Sequence, residues 1–279
     1  MDTRIGLPQD AETKPRTIEC GEWTYRYGYI RSSDCRSSGD TGQDYLAFAD
    51  KGGSLAFALC DGVSMSYYGD IAAKFVGEKL LDWLSREEDA LADRMDAIRD
   101  SLERTLQDMA IEGRELVARH RLPAALPEML RDVLESKKKR GSATVFACGR
   151  LDPPCERFPG GRLLLAWMGD VRIRAWGKRG ELTFRDPGTI DTRHQWNSSA
   201  GPTGGGPWIH REEGLGDAGR YGELLVYTDG LAALDEFGSI DTQTLDHVVD
   251  REARNPSGDD LSFMHVRWAF NLERGAGSA

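Results

Sequence analysis

Four aspartates stand at the ends of short apolar stretches, where a rigid strand could hold a carboxylate in place. They are Asp44, Asp61, Asp229 and Asp259. Asp170, beside a glycine, is a fifth candidate. If these strands lie side by side, their ends gather carboxylates that repel one another and lose hydration on burial. A hard divalent cation offsets both costs, and oxygen ligands without His or thiolate favour Mg²⁺ or Mn²⁺ over zinc.

The segments before these aspartates have the composition of strands. Leu55–Cys60 is a buried-strand pattern that leads into Asp61-Gly62, where the glycine lets the backbone approach a ligand or offer its carbonyl. Tyr45–Ala49 and Leu55–Cys60 are predicted to form a hairpin, and Leu224–Tyr227 is a strand that leads into Asp229-Gly230. A single Asp-Gly pair is more often a turn than a ligand, so the prediction depends on the whole set.

Helices and strands alternate in blocks along the rest of the chain. Helical spacing predicts helices over 70–84, from near 87 to about 117, and from 127 to 139. The run Lys137–Arg140 is interpreted as a solvated last helical turn rather than a nucleic-acid patch. Strands follow at 142–148, 163–167, 171–176 and 181–184, helical segments at 231–254, and a last strand at 261–270. This order predicts a mixed α+β fold.

Composition excludes several classes of protein. The chain has 279 residues, 39% of them hydrophobic, and a formal net charge of -10, which argues against nonspecific nucleic-acid binding and an anionic membrane surface. No apolar run approaches the ~20 residues of a membrane span, and the polar start is unlike a signal peptide. The five cysteines form no CxxC pair. A reducing cytoplasm is therefore the expected setting.

Six short motifs occur in a fixed order along the chain. They are Gly42-Gln43-Asp44, Cys60-Asp61-Gly62-Val63, Gly141-Ser142-Ala143-Thr144, Gly169-Asp170-Val171-Arg172, Thr228-Asp229-Gly230-Leu231 and Asp259-Asp260-Leu261-Ser262. In this order and spacing the chain resembles the metal-dependent protein phosphatases (protein phosphatase 2C), especially bacterial stand-alone members, from about Trp23 to Trp268.

The resemblance implies a four-layer α-β-β-α sandwich, with two antiparallel sheets flanked by helix pairs, and two Mn²⁺ or Mg²⁺ ions at one edge. Asp61 would bridge the ions, Asp229 and Asp259 would hold one of them, and the Gly62 carbonyl would hold the other. Asp44 would support a direct ligand or bind through water, and Asp170 marks the place of a weaker third ion. Asp260 stands where the family often has Asn, so Asp259 is the preferred ligand.

The implied activity is hydrolysis of phosphoserine and phosphothreonine by a water or hydroxide held between the two ions, without a phospho-enzyme. Asp61 and Asp229 would be the catalytic carboxylates. The implied partners are a phosphorylated protein and a Ser/Thr kinase or its targets, with no nucleic acid and no membrane. Protein recognition would come from a flap region (residues 186–219) and from the helical segment 85–140. This helical segment is either a docking surface or extra cover for the sheet.

Two departures from the family pattern affect substrate capture. The position five residues before Asp44, often an Arg that grips phosphate, is Gly39, so Arg36 or Arg31 is the candidate for that role. Val63 stands where some members have a His. One alternative is therefore a pseudophosphatase or sensor domain that binds a partner without turnover. Another keeps the enzyme but changes the substrate to a phosphorylated anti-sigma antagonist or a small phosphate ester.

The expected domain organisation has three parts. Residues 1–20 form a flexible N-terminal tail, 21–271 the phosphatase domain, and 272–279 a C-terminal tail. The domain includes the long helical segment 85–140 and a Gly-rich flap region at 186–219, which is predicted to lack regular structure and to be functional or disordered. His194 in this flap is interpreted as a solvated loop histidine in preference to a substrate contact.

Overall fold

Two antiparallel β-sheets stack face to face, and each carries helices on its outer side, in the computed structural model of the chain. The structure describes residues 3–21, 23–86, 94–177, 180–182, 184, 193–216 and 221–270. The four-layer α+β architecture expected from the sequence is confirmed. It matters for the site because the strand ends of both sheets meet at one edge.

The first sheet contains eight of the described strands. They are β1 (Thr3–Gly6), β4 (Tyr45–Lys51), β5 (Ser54–Gly62), β6 (Ala143–Asp152), β7 (Arg162–Met168), β10 (Gln195–Asn197), β11 (Gly201–Thr203) and β12 (Trp208–Glu213). Their order is β1-β4-β5-β6-β10-β11, with β7 beside β6 and β12 beside β7. Side chains alternate along β5: Leu55, Phe57 and Leu59 enter the core between the sheets, whereas Ala56, Ala58 and Cys60 face the helices. Both faces are buried, which explains the uninterrupted apolar run.

The second sheet contains the other six described strands. They are β2 (Thr13–Cys20), β3 (Trp23–Ile30), β8 (Arg172–Gly177), β9 (Gly180–Leu182), β13 (Tyr221–Tyr227) and β14 (Leu261–Trp268), in the order β2-β3-β14-β13-β8-β9. Tyr25, Tyr27, Leu224 and Met264 fill the inter-sheet core from this side. The hairpin predicted between the strands at 45–49 and 55–60 is confirmed in the first sheet, where Tyr45 pairs with Cys60.

Helices cover the outer face of each sheet. Helices α2 (Gly69–Arg86) and α3 (Met95–Arg119) pack on the first sheet, and a 3-10 helix (Asp229–Glu236) with α5 (Thr242–Glu252) packs on the second. Two further helices, α1 (Ser33–Ser38) and α4 (Glu128–Arg140), have no buried residue. No helix in the described ranges is long and apolar enough to cross a membrane.

The prediction of a flexible tail over residues 1–20 is wrong. Strand β1 pairs with β4 and β2 pairs with β3, so the segment adds an edge strand to each sheet. These strands are mostly polar because only one face of each touches the core, through residues such as Ile5 and Ile18. An edge strand with so few apolar residues resembles a loop in sequence, although its backbone is paired.

The flap also differs from expectation. Within 193–216 the flap contains β10, β11 and β12, so the prediction of an irregular stretch is wrong for that part. Trp196 anchors this part of the flap to α3. Its ring is fully buried, and its indole Nε1 donates a 2.8 Å hydrogen bond to the Leu106 carbonyl of α3. The long helix is described from Met95 to Arg119, and its predicted start near Glu87 lies outside the described ranges. Residues 87–93, 185–192 and 271–279 lie outside the described ranges.

Candidate active site

The ends of five strands meet at one edge of the sandwich and bring the predicted aspartates to it. The pairing of Tyr45 with Cys60 sets Asp44 beside Asp61 in the first sheet. In the second sheet Tyr227 pairs with both Arg172 and Phe263. Asp229 therefore follows β13 at the same edge at which Asp170 precedes β8 and Asp259 precedes β14.

Asp61-Gly62 forms a tight backbone corner. Thr144 Oγ1 donates a 2.6 Å hydrogen bond to the Asp61 carbonyl, and the Gly62 amide donates to the Gln43 carbonyl at 3.2 Å. A Cβ on Gly62 would lie 2.5 Å from the carbonyl carbon of Gly69, at the start of α2. Only glycine fits this approach of strand to helix. The corner is therefore fixed by backbone contacts before any ligand is considered.

The second Asp-Gly pair is built in a similar way. A Cβ on Gly230 would clash with the backbone carbonyl of Asp260. Thr228 donates its amide to the Ser262 carbonyl at 3.0 Å, and the Ser262 amide donates back to Thr228 Oγ1 at 3.0 Å. This exchange holds the end of β13 against the start of β14. Asp229 thus leaves the sheet from a rigid position.

A hydroxyl joins the two sheets beneath these corners. Thr228 Oγ1, from the second sheet, donates a 2.8 Å hydrogen bond to Asp44 Oδ2 in the first. Asp44 is only 2% exposed. Burial raises the pKa of Asp44 well above its ordinary value, and the nearby Asp260 carboxylate raises it further. The hydrogen bond from Thr228 opposes this effect without cancelling it.

The pKa values of Asp61 and Asp229 are raised as well. Burial raises the pKa of Asp61, and the charges of Asp44 and Asp229 add to the rise. Burial also raises the pKa of Asp229, followed by the charges of Asp259 and Asp170. Carboxylates raise one another's pKa in this way when they lie close together. The structure therefore gathers these aspartates into one acidic cluster.

Asp260 has a different role from its neighbour. Its Oδ1 accepts the Ser32 amide at 2.6 Å and its Oδ2 accepts the Gln43 amide, so both oxygens hold the loop between β3 and β4. Asp259 is exposed, and its Oδ1 accepts the Asp260 amide at 2.8 Å. Asp259 is thus the more accessible carboxylate of the pair, in line with its predicted preference as a ligand.

Arg172 is a site residue that the sequence analysis did not single out. Its Nη1 donates to the Asp170 carbonyl at 2.9 Å, and its Nε lies 3.5 Å from an oxygen of Asp235. Its positive charge lowers the pKa of Asp229, against the larger effect of burial. Arg172 ends the motif Gly169–Arg172, but its place near Asp229 depends on the pairing of β8 with β13, which the motif does not encode.

Both candidate arginines already hold acceptors other than the aspartates of the cluster. Arg31 Nε donates to Glu12 at 2.9 Å, and its Nη1 donates to the Asp40 carbonyl at 2.9 Å. Arg36 Nη2 donates to the carbonyl of Ala253, the residue that follows α5, at 2.5 Å. These bonds use two nitrogens of Arg31 and one nitrogen of Arg36. The role of both arginines in substrate binding stays a prediction.

His194 is neither solvated nor aimed at the cluster. It is 5% exposed, and its ring packs edge-on against Trp208 with 3.9 Å between ring centroids. Its Nδ1 accepts the Gly169 amide at 3.3 Å, and its Nε2 lies 2.8 Å from the Gly206 carbonyl. The Nε2-protonated tautomer satisfies both contacts. The prediction of a solvated loop histidine is therefore wrong, because the ring joins the flap to the turn before Asp170.

The chemistry of the cluster suits a hard cation. Its donors are carboxylate and carbonyl oxygens, without a thiolate or imidazole, and its acids raise one another's pKa. Within the described residues, however, no three His, Cys, Asp or Glu side chains are already converged as a complete metal site. The donor set fits Mg²⁺ or Mn²⁺ in chemical type, and the individual ligands stay predictions.

Comparison with known proteins identifies the family. The sequence model described as protein phosphatase 2C matches residues 31–265, and the chain belongs to the protein phosphatase 2C family. The predicted resemblance is thereby confirmed, together with the enzyme class, a protein-serine/threonine phosphatase, and the metal dependence of the family. No curated protein matches the sequence.

Solved structures share the fold at low sequence identity. The serine/threonine phosphatase Stp1 from Staphylococcus aureus superposes with a TM-score of 0.56 at 16% identity, over 91% of this chain and 99% of that one. RsbX in complex with magnesium gives 0.54 at 14% identity, over 91% and 100%. A bacterial serine phosphatase that bears a point mutation gives 0.55 at 15% identity, over 88% and 97%. These similarities support the four-layer fold.

Proposed function

We propose that this chain is a Mn²⁺- or Mg²⁺-dependent phosphatase that hydrolyses phosphoserine and phosphothreonine in a protein substrate, with two ions bound at the acidic cluster. The supporting observation is geometric: the pairing of Tyr45 with Cys60 sets Asp44 beside Asp61, and Thr228, next to Asp229, donates a hydrogen bond from the second sheet to Asp44. When bound, such a pair of ions activates a water as nucleophile and neutralises the phosphate oxygens.

The chain's own residues would divide the work of holding the ions. Asp61 is the proposed shared ligand because four other aspartates of the cluster raise its pKa. Its backbone is fixed by the hydrogen bond from Thr144. The Gly62 carbonyl would serve one ion, and Asp229 with the accessible Asp259 the other.

Two further aspartates would support this pair of ions. Asp44 is held by the Thr228 hydroxyl in the buried layer beneath the corners and would act through an ordered water. Asp170, whose charge raises the pKa of Asp229, would take part in a third, weaker site.

The phosphate of the substrate is proposed to bind at arginines on the segment before β4. Arg36 and Arg31 are the proposed phosphate contacts, and both lie on the segment that precedes Asp44. The proposed partners are a phosphorylated protein and the Ser/Thr kinase that modifies it or its targets. All five cysteines are free thiols, which supports a reducing compartment, proposed to be the cytoplasm.

The test is phosphatase activity of the purified chain on p-nitrophenyl phosphate and a phosphothreonine peptide, with and without millimolar Mn²⁺. Activity should require the metal, and Asp229→Asn should lower kcat/KM on the order of 10²–10³-fold on both substrates, as expected when charge stabilisation in the transition state is lost. Asp250→Asn, an exposed acid on α5, is the matched control and should retain wild-type activity. A wild-type chain without activity on either substrate at millimolar Mn²⁺ contradicts the proposal.

The second candidate is a pseudophosphatase or sensor domain, favoured by Gly39 and by the contacts that occupy Arg31 and Arg36. Thermal unfolding with a Mn²⁺ titration separates it from the enzyme. The enzyme should be stabilised by Mn²⁺ and should lose most of that stabilisation in Asp61→Asn. A binding module without a metal site should show the same melting curve in both proteins at every Mn²⁺ concentration.

A further inference from the structure

A basic groove runs between the C-terminal part of α3 and helix α4. It consists of two adjoining hollows of about 410 and 620 Å³ that share Ala118, Glu135 and Lys138. Six cationic residues line it: Arg114, Arg119, Arg121, Arg131, Lys138 and Lys139. Glu135 is the acidic residue among its lining. In a chain with a formal net charge of -10, this is a local reversal of sign.

The groove stays open because α4 is held by polar contacts rather than by a packed apolar face. Helix α4 has no buried residue. Lys138 Nζ donates to the His120 carbonyl at 2.6 Å, and Arg131 Nη2 donates to the Pro123 carbonyl at 3.1 Å. Both bonds tie α4 to the segment after α3 across the groove. Its cationic side chains therefore line a cleft that solvent reaches.

Two of these cations have no partner within the described part of the chain. Arg121 and Lys139 are exposed and make no hydrogen bond or ion pair there, whereas Arg119 pairs with Glu115 at 2.8 Å. Charges of this kind contribute little to folding and can be reversed at small cost in stability. They are the natural contacts for an anionic ligand.

The groove adjoins the acidic cluster through the backbone. Ser199 Oγ donates to the Arg140 carbonyl at 3.0 Å, so the flap turn forms part of the groove's floor. The carbonyl of Gly141, which lines the groove, accepts the amide of Tyr67 at 3.1 Å, on the loop that follows Asp61-Gly62. From Gly141 the chain runs straight into β6 and Thr144. A ligand in the groove would thus lie beside the loop that follows Asp61.

We propose that the basic groove docks an acidic, Asp/Glu-rich segment of the phosphoprotein substrate, separate from the phosphorylated residue; this rests on the proposed phosphatase function. Carboxylates of such a segment complement Arg121, Lys139 and their neighbours, which raises the rate of encounter and lowers KM. A long nucleic acid fits less well than a short acidic segment, because the net charge of -10 repels a polyanion that extends beyond the groove.

The test uses the full chain with Arg121→Glu and Lys139→Glu combined. The matched control combines Lys14→Glu and Lys51→Glu, two exposed lysines away from the groove that give the same change of net charge. Three substrates are compared: a phosphothreonine peptide with an Asp/Glu-rich segment, the same peptide with Asn and Gln in that segment, and p-nitrophenyl phosphate.

For the acidic peptide we expect the groove variant to raise KM about 10-fold with kcat unchanged, and this effect should shrink at about 0.5 M NaCl because exposed charges are screened. The other two substrates and the control variant should behave as wild type. An equal change on the acidic and neutral peptides overturns the proposal. So does a matching loss on p-nitrophenyl phosphate, because the groove would then act on the site itself.

Binding without turnover keeps this proposal separate from the proposed function. Fluorescence anisotropy of the labelled acidic peptide, without its phosphate, reports docking even if the chain proves inactive on p-nitrophenyl phosphate. Wild type should bind it about 10-fold more tightly than the groove variant. Equal binding by both proteins overturns the docking proposal, as does tighter binding of a single-stranded RNA of equal charge to the wild-type groove.

Discussion

Strands β5 and β6 carry a carboxylate site at each end, and charge is compensated in opposite ways at the two ends. At the far end Asp152 accepts bonds from Arg150 Nε at 2.7 Å and Arg162 Nε at 2.9 Å. Burial alone would raise the pKa of Asp152, but the two arginines hold it below its ordinary value. At the other end the pKa of Asp61 is raised by burial and by further carboxylates.

The comparison shows that burial does not by itself decide the role of an acid. Asp152 has cations built into the neighbouring strand and its own strand, so it completes a structural ion cluster. The carboxylates around Asp61 repel one another, and a group in that situation is a candidate for metal binding or catalysis. The same two strands thus serve stability at one end and, on our proposal, chemistry at the other.

The largest effect should come from removing the charge of Asp61. Asp61→Asn should lower kcat/KM by at least about 10³-fold, since a ligand shared by two ions supports charge stabilisation in the transition state. In chelator, the same variant should unfold at no lower urea concentration than wild type, because a repulsive charge has been removed. If Asp61→Asn clearly lowers stability in the presence of a metal chelator, the contrast is contradicted, because Asp61 would then stabilise the fold as Asp152 does.

The reverse result is expected at the far end. Asp152→Asn should lower the free energy of unfolding by about 3–4 kcal/mol, because two buried guanidinium groups lose their shared partner. Urea denaturation in chelator measures this directly. The folded variant should keep wild-type activity per molecule with Mn²⁺. Unchanged stability would contradict the structural role of the Arg150–Asp152–Arg162 cluster.

In metal-free protein, the carboxylates at the two ends of β5 and β6 should make stability depend on pH with opposite signs. The pKa of Asp152 is lowered on folding, so its contribution is present above the ordinary value of 3.8 and is lost as pH falls below it. The pKa values of Asp44 and Asp61 are raised on folding, so stability declines as pH rises above that value.

Variants separate these contributions in urea titrations across pH. Asp61→Asn should flatten the decline on the alkaline side, and Asp152→Asn should flatten the loss on the acid side. If neither variant changes the shape of the curve, the contrast between the two ends does not govern the pH dependence.

The smallest effects on stability should come from the hydroxyl that donates a hydrogen bond to a carboxylate at each end. Ser54 Oγ donates to Asp152 Oδ1 at 2.8 Å, as Thr228 Oγ1 does to Asp44. Ser54→Ala should cost about 1 kcal/mol, since the arginines still pair with Asp152. Thr228→Val should cost about 2 kcal/mol because Thr228 Oγ1 also accepts the Ser262 amide. Equal costs in urea denaturation would contradict this extra contribution of the Ser262 amide bond.

The sequence predicts the strands that end at the aspartates better than it predicts the edge strands of the sheets. Aspartates at the ends of apolar strands, such as Asp61 after Leu55–Cys60, are visible because both signals are local. The polar strands β1 and β2 are not, since their partners lie far along the chain and only one face of each is covered. The burial of His194 under Trp208 and the place of Arg172 beside Asp229 depend on tertiary contacts that no local pattern encodes.

The pairing of β1 and β2 at the sheet edges has a practical consequence for shortened versions of the chain. A fragment that starts at residue 21 would leave β4 and β3 as open edges, one in each sheet, with their backbone groups ready to pair with another molecule. It would also lose Gln9, whose carbonyl accepts the Gly42 amide at 2.9 Å and the Tyr29 hydroxyl at 3.1 Å. The first twenty residues are therefore protection against edge-to-edge aggregation, and shortened versions of this protein should be expected to precipitate.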